Sequence, residues 1–135
     1  MQFLVETDVL CDCLCATEPG SLLRSALSRG VCYTTMLNAL ELFREAKTPN
    51  EKEAVTNLLM VVRVLGYSAR YAETFASFAS ELEEKLSDRL SEREVMIVGM
   101  ARASKLILLT EMNFTRYSSL PGVAVIRSLE EVPIG

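Results

Sequence analysis

Five acidic residues of this sequence lie near the ends of its apolar segments, where their carboxylates could together hold a hard divalent cation. They are Glu6, Asp8, Glu41, Glu94 and Glu111. Magnesium and manganese ions prefer carboxylate oxygens and water as ligands, and such a site needs no histidine. Ions held in this way activate water and neutralise developing charge, so these residue types predict a metal site for phosphodiester hydrolysis. The hydroxyl groups of Thr34 and Thr110 would orient a ligand or a water beside it.

Each acid also has a purely structural explanation. Glu6 and Asp8 lie at the start of a predicted helix, where the helix dipole favours negative charge. Glu94 lies three residues after Ser91 and fits a helix-capping box. Glu41 fits a solvent-facing stripe of its own helix. The positions of these acids alone therefore leave the structural and the catalytic interpretation both open.

Composition narrows the chemistry further. The chain has 135 residues, a net charge of −4 and no histidine or tryptophan. The absence of histidine excludes triads and metal sites built on imidazole, and the acidic balance disfavours loose binding to nucleic acid. No apolar run approaches the length of a membrane span, and no basic segment precedes the first apolar run. The sequence therefore predicts a cytoplasmic protein with no membrane association.

Apolar strand-like segments alternate with amphipathic helices from end to end. Strands are predicted over 3–5, 31–33, 62–65, 106–109 and 123–126, and helices over 8–16, 21–29, 36–46, 50–62, 69–87 and 91–104. Such alternation predicts an α/β fold, a three-layer α/β/α sandwich around a parallel sheet of about 4–5 strands. No linker or repeat divides the chain, so we expect a single domain over 1–135. Ligands of such sheets bind at the carboxyl ends of the strands.

Local signals predict where the helices begin and end. Thr7 is the predicted cap of the first helix, and Pro19-Gly20 the signal that ends it. Asn50 with Glu53 forms a capping pair for the fourth helix, as Ser91 with its partner glutamate does for the sixth. Gly30 closes the second helix.

Four cysteines, three of them alternating in the first helix, suggest a metal or redox centre only weakly. They are Cys11, Cys13, Cys15 and Cys32. Zinc sites usually space paired thiolates across a turn, whereas free cysteine is among the most buried residue types. We therefore expect packed thiols, and no disulfides in a cytoplasmic chain.

Four segments, in order, combine a short apolar run with acids or hydroxyls. They are Phe3-Leu4-Val5-Glu6-Thr7-Asp8-Val9-Leu10, Thr34-Thr35 with Ala39-Leu40-Glu41-Leu42, Leu90-Ser91-Glu92-Arg93-Glu94-Val95-Met96-Ile97-Val98 and Leu108-Leu109-Thr110-Glu111-Met112-Asn113-Phe114. Together they resemble the motifs of the PIN domain family, the metal-dependent ribonuclease fold that includes VapC-like toxins of toxin–antitoxin modules. The resemblance spans residues 2–126. It implies a ribonuclease in which Glu6, Glu41 and Glu94 hold Mg²⁺ or Mn²⁺, with Asp8 or Glu111 assisting.

The sequence also departs from the family pattern. Glu6 and Glu94 stand where the family has aspartate, and Met112 stands at the position of the fourth acid. Glutamate adds one methylene, which moves the carboxylate oxygens, and magnesium demands near-ideal octahedral geometry. Asp8 and Glu111, adjacent to these positions, are the acids available to compensate.

Three functions follow from these observations. The first is a Mg²⁺- or Mn²⁺-dependent ribonuclease acting on RNA, the toxin of a toxin–antitoxin module. The second is a PIN-like domain that has lost catalysis and acts by binding protein or RNA. The third is a small-molecule or nucleotide-binding doubly wound domain, which ranks last because no glycine-rich phosphate loop follows any strand.

The resemblance further implies a homodimer and an antitoxin-like partner whose segment fills the acidic cleft. The helix over 50–62 is apolar nearly all round in its last turn, which fits a dimer surface or, more often, a buried core helix.

Overall fold

The computed structural model of the protein describes residues 1–15 and 21–132. The strands are β1 (Gln2–Val5), β2 (Val31–Thr35), β3 (Arg63–Leu65), β4 (Ile107–Leu109) and β5 (Val125–Ile126). The helices are α1 (Thr7–Cys15), α2 (Leu22–Arg29), α3 (Met36–Glu45), α4 (Pro49–Val61), α5 (Tyr71–Leu86), α6 (Glu92–Ala103) and α7 (Phe114–Ser118), and a 3₁₀ turn covers Leu129–Glu131. The five strands pair in the order β3-β2-β1-β4-β5, and every pair is parallel.

Two apolar cores lie on opposite faces of this sheet. Successive residues of a strand point to opposite faces, so Phe3 and Val5 of β1 enter one core and Leu4 enters the other. The first core takes its helical residues from α1 to α4, and the second takes them from α5, α6 and α7. Helices therefore cover both faces, and the prediction of a three-layer α/β/α sandwich around a parallel sheet is confirmed.

The helix-capping predictions are confirmed in part. Ser91 caps α6 in a complete capping box, and the Gly30 N–H closes α2 on the Ala26 carbonyl at 3.0 Å. The prediction for α4 is wrong, because its cap is Thr48 and the helix begins one residue earlier. Pro49, which has no N–H to satisfy, suits the first helical position and places the cap before it.

The start of the first helix differs from its prediction. Thr7 lies inside α1 rather than before it, so Glu6 is the residue between β1 and the helix. The Thr7 hydroxyl donates to Glu41 at 2.6 Å, a long-range bond, instead of capping its own helix. The predicted extension to residue 16 and the break at Pro19-Gly20 lie outside the described residues.

Two short elements, α7 and the 3₁₀ turn, were not predicted, since neither is long enough to show a periodic apolar pattern. Tyr117 anchors α7 in the second core, and Leu129 anchors the 3₁₀ turn in the first. Along the described chain, no helix is both long and apolar enough to cross a bilayer.

The cysteines behave mainly as packing residues. All four are free: Cys32 is buried, Cys11 and Cys13 pack against the first core, and Cys15 is exposed. Burial raises the pKa of the Cys32 thiol to about 11, so this thiol is neutral and unreactive at physiological pH.

Gly30 sets the start of the β1–β2 pairing, and we expect Gly30→Ala to destabilise the protein by about 1–3 kcal/mol. A Cβ atom at this position would collide with the Met1 carbonyl oxygen, which accepts the first bond of the pairing from Val31 at 3.0 Å. Urea unfolding measures the difference. Gly66→Ala is the matched control, because a Cβ there meets nothing within 4 Å. Equal stability of the two variants would contradict this account.

Candidate functional site

The carboxyl ends of β1, β2 and β4 meet at one edge of the sheet, and Glu6 lies at its centre. Its main-chain N–H donates to the Leu109 carbonyl at 3.0 Å, which continues the β1–β4 pairing by one residue. The Glu6 side chain is only 1% exposed. A buried carboxylate is stable only where hydrogen bonds and opposite charge replace its lost hydration. The groups around Glu6 therefore decide what this edge can do.

Three uncharged groups donate to the Glu6 carboxylate. Oε1 accepts from the Thr7 main-chain N–H at 3.2 Å and from Asn38 Nδ2 at 2.8 Å, and Oε2 accepts from Asn113 Nδ2 at 3.1 Å. The Asn38 amide is itself held in place, because its Oδ1 accepts from the Thr35 N–H and hydroxyl at 3.1 and 2.6 Å. Thr35 thus ends β2, caps α3 and aims the amide at Glu6.

Arg93 places its guanidinium group between Glu6 and Glu41. Nη1 and Nη2 donate to the two Glu6 oxygens at 3.0 and 2.8 Å. Nε and Nη2 donate to the two Glu41 oxygens at 2.8 and 2.9 Å. This bidentate contact with two carboxylates uses the planar fork that distinguishes arginine from lysine. The two acids thus share one cation.

The ionisation of this cluster follows from those contacts. The hydrogen bond from Arg93 lowers the pKa of Glu41, burial opposes it, and the Thr7 hydroxyl lowers it further. Hydrogen bonding to Glu41 raises the pKa of Arg93 above its usual range, against the effect of burial. The side chains of Arg93 and Glu41 are 33% and 32% exposed, so solvent reaches the cluster from their side and not from the side of Glu6.

Two tyrosines lie close enough to the cluster for its charges to act on them. Burial raises the pKa of both Tyr67 and Tyr117, and the negative charge of Glu6 adds to the increase. The Tyr67 hydroxyl donates to the Met96 carbonyl at 3.1 Å. Both tyrosines are therefore neutral, and they border the cluster without adding charge to it.

Glu94, the third predicted metal ligand, has partners of its own. Its Oε1 accepts from the Ser91 N–H at 2.9 Å in the capping box of α6, and its Oε2 accepts from Arg116 Nε at 2.7 Å. Burial alone would raise the pKa of Glu94, but the hydrogen bonds from Arg116 and Ser91 bring it below its usual value. The structure does not bring this carboxylate onto the cation that Glu6 and Glu41 share.

Asp8 holds the turn that follows β4. Its carboxylate accepts from the Thr110 hydroxyl at 3.1 Å and from the N–H groups of Glu111 and Met112 at 2.8 and 2.9 Å. Burial, and then the charges of nearby aspartates, raise the pKa of Glu111. Met112, where the sequence resemblance predicts a fourth acid, is 83% exposed. The Thr34 hydroxyl, predicted to orient a ligand, instead donates to the Val5 carbonyl at 2.8 Å and joins β2 to β1.

The side chains at this edge do not fit a divalent ion in the arrangement that the structure shows. Within residues 1–15 and 21–132, no three acidic, histidine or cysteine side chains are grouped so that they could hold a metal. The two acids that do converge, Glu6 and Glu41, are already joined through Arg93. Their charge is compensated from inside the protein.

Arg93 is the functional residue that the motif-based prediction misses. It is the second residue of α6, where the helix dipole disfavours a cation. A basic side chain in that position signals a specific acidic partner, but the sequence does not show that the partners are Glu6 and Glu41.

The lowered pKa of Glu41 predicts how stability depends on pH. A carboxylate with a depressed folded-state pKa stabilises the protein above its unfolded-state value, 4.5 here, and this contribution is lost as the pH falls through the folded-state pKa. We expect Glu41→Gln to cost about 1–3 kcal/mol at pH 7 and progressively less below pH 4.5. Urea unfolding from pH 7 to pH 3 measures this loss of stability, with Glu53→Gln, at an exposed position of α4, as the control. A constant difference between parent and Glu41→Gln would contradict the assignment.

No protein-family model matches the sequence, and no curated protein matches it significantly. Solved structures do match. VapBC2 from Rickettsia felis, bound to a DNA fragment from its promoter, has a TM-score of 0.78 at 15% identity over 93% of this chain and 98% of its own. DNA-bound VapBC from Salmonella typhimurium has a TM-score of 0.76 at 18% identity over 93% and 97%. A toxin–antitoxin complex from Klebsiella pneumoniae has a TM-score of 0.70 at 18% identity over 92% and 95%.

At these identities the likeness establishes the fold. The match covers nearly the full length of these structures, and this chain has the expected five-stranded parallel sheet, so the prediction of a PIN-like fold, made from four short motifs, is confirmed.

Proposed function

We propose that this protein is a PIN-like domain that acts by binding a protein partner, and that its acidic sheet edge works without a divalent metal. The observation that carries the proposal is the guanidinium group of Arg93, which donates to both Glu6 and Glu41. Metal-assisted hydrolysis needs carboxylate oxygens free to coordinate an ion, which then activates a water. Here those oxygens accept hydrogen bonds from within the chain.

The competing proposal is a Mg²⁺- or Mn²⁺-dependent ribonuclease that uses Glu6, Glu41 and Glu94. In this case Arg93 must withdraw from the first two acids, and Glu94 must leave Arg116. Each withdrawal breaks charged hydrogen bonds that the ion must replace, and for the buried Glu6 that exchange is costly. Assistance from Asp8 would also leave the main-chain donors after β4 without an acceptor. The geometry therefore favours the metal-independent proposal.

The proposed partner is a small protein of the antitoxin type. The similar structures include VapBC2 from Rickettsia felis, VapBC from Salmonella typhimurium and a toxin–antitoxin complex from Klebsiella pneumoniae. This domain has the fold of those structures, and its predicted metal ligands Glu6 and Glu41 accept hydrogen bonds from its own arginine, which favours a role in assembly over hydrolysis. RNA remains the substrate of the competing proposal.

Manganese titration followed by thermal melting tests the metal-independent proposal. A ligand that binds only the folded state raises stability by RT ln(1 + [L]/Kd), so a bound ion would raise the melting temperature with concentration. We expect no specific rise for the parent protein at millimolar Mn²⁺, and no cleavage of a mixed RNA substrate. A rise that Glu6→Gln abolishes, or metal-dependent cleavage that the same variant lacks, would overturn the proposal in favour of the ribonuclease.

A homodimer is the second proposed assembly, and exposed apolar residues on α3 favour it. Met36, Leu40 and Phe43 share one face of α3 and are 57%, 49% and 39% exposed. The helix α4, which packs against α3, ends with Met60 and Val61 exposed by 78% and 56%. The last turn of α4 is thus only partly buried in the core. Contiguous exposed apolar residues of this kind mark interaction sites.

Leu40→Glu should shift the parent from dimer to monomer, because it introduces a charge that a dimer interface would bury without a partner. Sedimentation velocity at several concentrations measures the oligomeric state. Ser77→Glu, at an exposed position of α5 on the other side of the sheet, adds the same charge and should leave the dimer intact. A parent that is monomeric at all concentrations would show that this face does not join two copies.

A further inference from the structure

The acids Glu6 and Glu41 converge as closely as two ligands of one ion. A single nitrogen of Arg93, Nη2, lies 2.8 Å from Glu6 Oε1 and 2.9 Å from Glu41 Oε1. The two remaining carboxylate oxygens accept from other nitrogens of the same group. Mg²⁺ binds oxygen ligands at about 2.0–2.1 Å, keeps several waters, and often uses only one or two carboxylates together with substrate phosphates. The guanidinium group thus lies where such an ion would lie.

Contacts that do not involve Arg93 also hold these acids in place. Asn38 and Asn113 donate to Glu6, and the Thr7 hydroxyl donates to Glu41. Asn38 is fixed in turn by the Thr35 cap of α3. Loss of the Arg93 side chain alone would therefore leave two carboxylates close together, one of them buried, with their positions preserved and their charge uncompensated.

Such a pair has two ways to lower its energy. One carboxylate can take up a proton, since a neighbouring like charge and burial both raise a carboxyl pKa. Alternatively, the pair can bind a cation from solution, for which the exposed side of Glu41 provides access. At neutral pH with millimolar divalent metal, binding of the ion competes with protonation because it neutralises both charges.

We propose that Arg93 is a built-in counter-ion that excludes divalent cations from the Glu6–Glu41 pair, and that this pair is a latent Mn²⁺ or Mg²⁺ site that forms when the guanidinium group is removed. The inference rests on the proposed metal-independent state of the parent protein. It adds that the acids at the sheet edge keep their capacity to bind an ion. The contact that excludes the ion joins Arg93 on α6 to Glu6, which follows β1, and to Glu41 on α3.

The test compares the parent with Arg93→Met, which keeps an unbranched side chain but no charge. In metal-free buffer at pH 7 the variant should melt below the parent. Mn²⁺ should then raise its melting temperature with concentration, by on the order of 5 °C at millimolar Mn²⁺, while the parent does not respond. Loss of the electron paramagnetic resonance signal of free hydrated Mn²⁺ should give about one ion bound per chain of the variant.

Two further variants keep the test decisive. Arg93→Lys retains a cation and should bind no Mn²⁺, which separates removal of charge from simple loosening of the site. Arg93→Met/Glu6→Gln/Glu41→Gln is neutral at all three positions and should also bind none. If Arg93→Met is unfolded without metal, circular dichroism during addition of Mn²⁺ follows its folding, with the neutral variant as the folded reference.

The outcomes separate this inference from the proposed function. If Arg93→Met folds and binds no Mn²⁺, or if the neutral variant binds it equally, the latent site does not exist and the metal-independent function of the parent still stands. If the parent itself binds Mn²⁺ and Glu6→Gln abolishes that binding, the proposed function fails first. Binding by Arg93→Met alone supports both.

Discussion

The compensation of a buried carboxylate by one guanidinium group is the constraint on which the rest of this sheet edge depends. Glu6 follows the central strand and is almost completely shielded from water, so its charge must be met from within the protein. Arg93 meets it, and in doing so also meets the charge of Glu41. Asn38 and Asn113 donate to Glu6 as well, and the Thr35 cap of α3 holds Asn38. Among the described residues, every buried polar side-chain atom has a hydrogen-bond partner.

This interaction also joins the layers of the fold. Glu41 lies on α3, which packs on one face of the sheet, and Arg93 lies on α6, which packs on the other. Glu6 lies between them at the end of β1. Since parallel sheets are buried on both faces, the helices of the two layers meet directly only beyond the strand ends. The three charged groups form such a meeting point, and their geometry therefore depends on both layers being in place.

The sequence predicts the fold well because its signals are local. Strand β4 is a short apolar run, and Ser91 with Glu94 marks the start of α6 correctly. The site is harder to predict because its decisive contact is not local. Arg93 and Glu6 are separated by 87 residues, and no pattern within either segment reports the contact. Motif position selected Glu94, but adjacent residues of a helix project in directions about 100° apart. With Arg93 facing the acids, Glu94 faces Arg116 instead.

The difference in exposure across the cluster has a consequence for how the sequence can change over evolutionary time. Glu41 and Arg93 are each about one-third exposed, so water can solvate either charge if its partner is lost. The buried Glu6 carboxylate cannot be solvated in this way. Loss of Arg93 is therefore tolerated only after Glu6 has become neutral or a metal has become available. Loss of Glu6, in contrast, leaves Arg93 with a carboxylate partner and a path to solvent. The order of substitution is thus asymmetric, and relatives that lack the arginine should also lack a charge at the position of Glu6 or carry the full set of metal-binding acids.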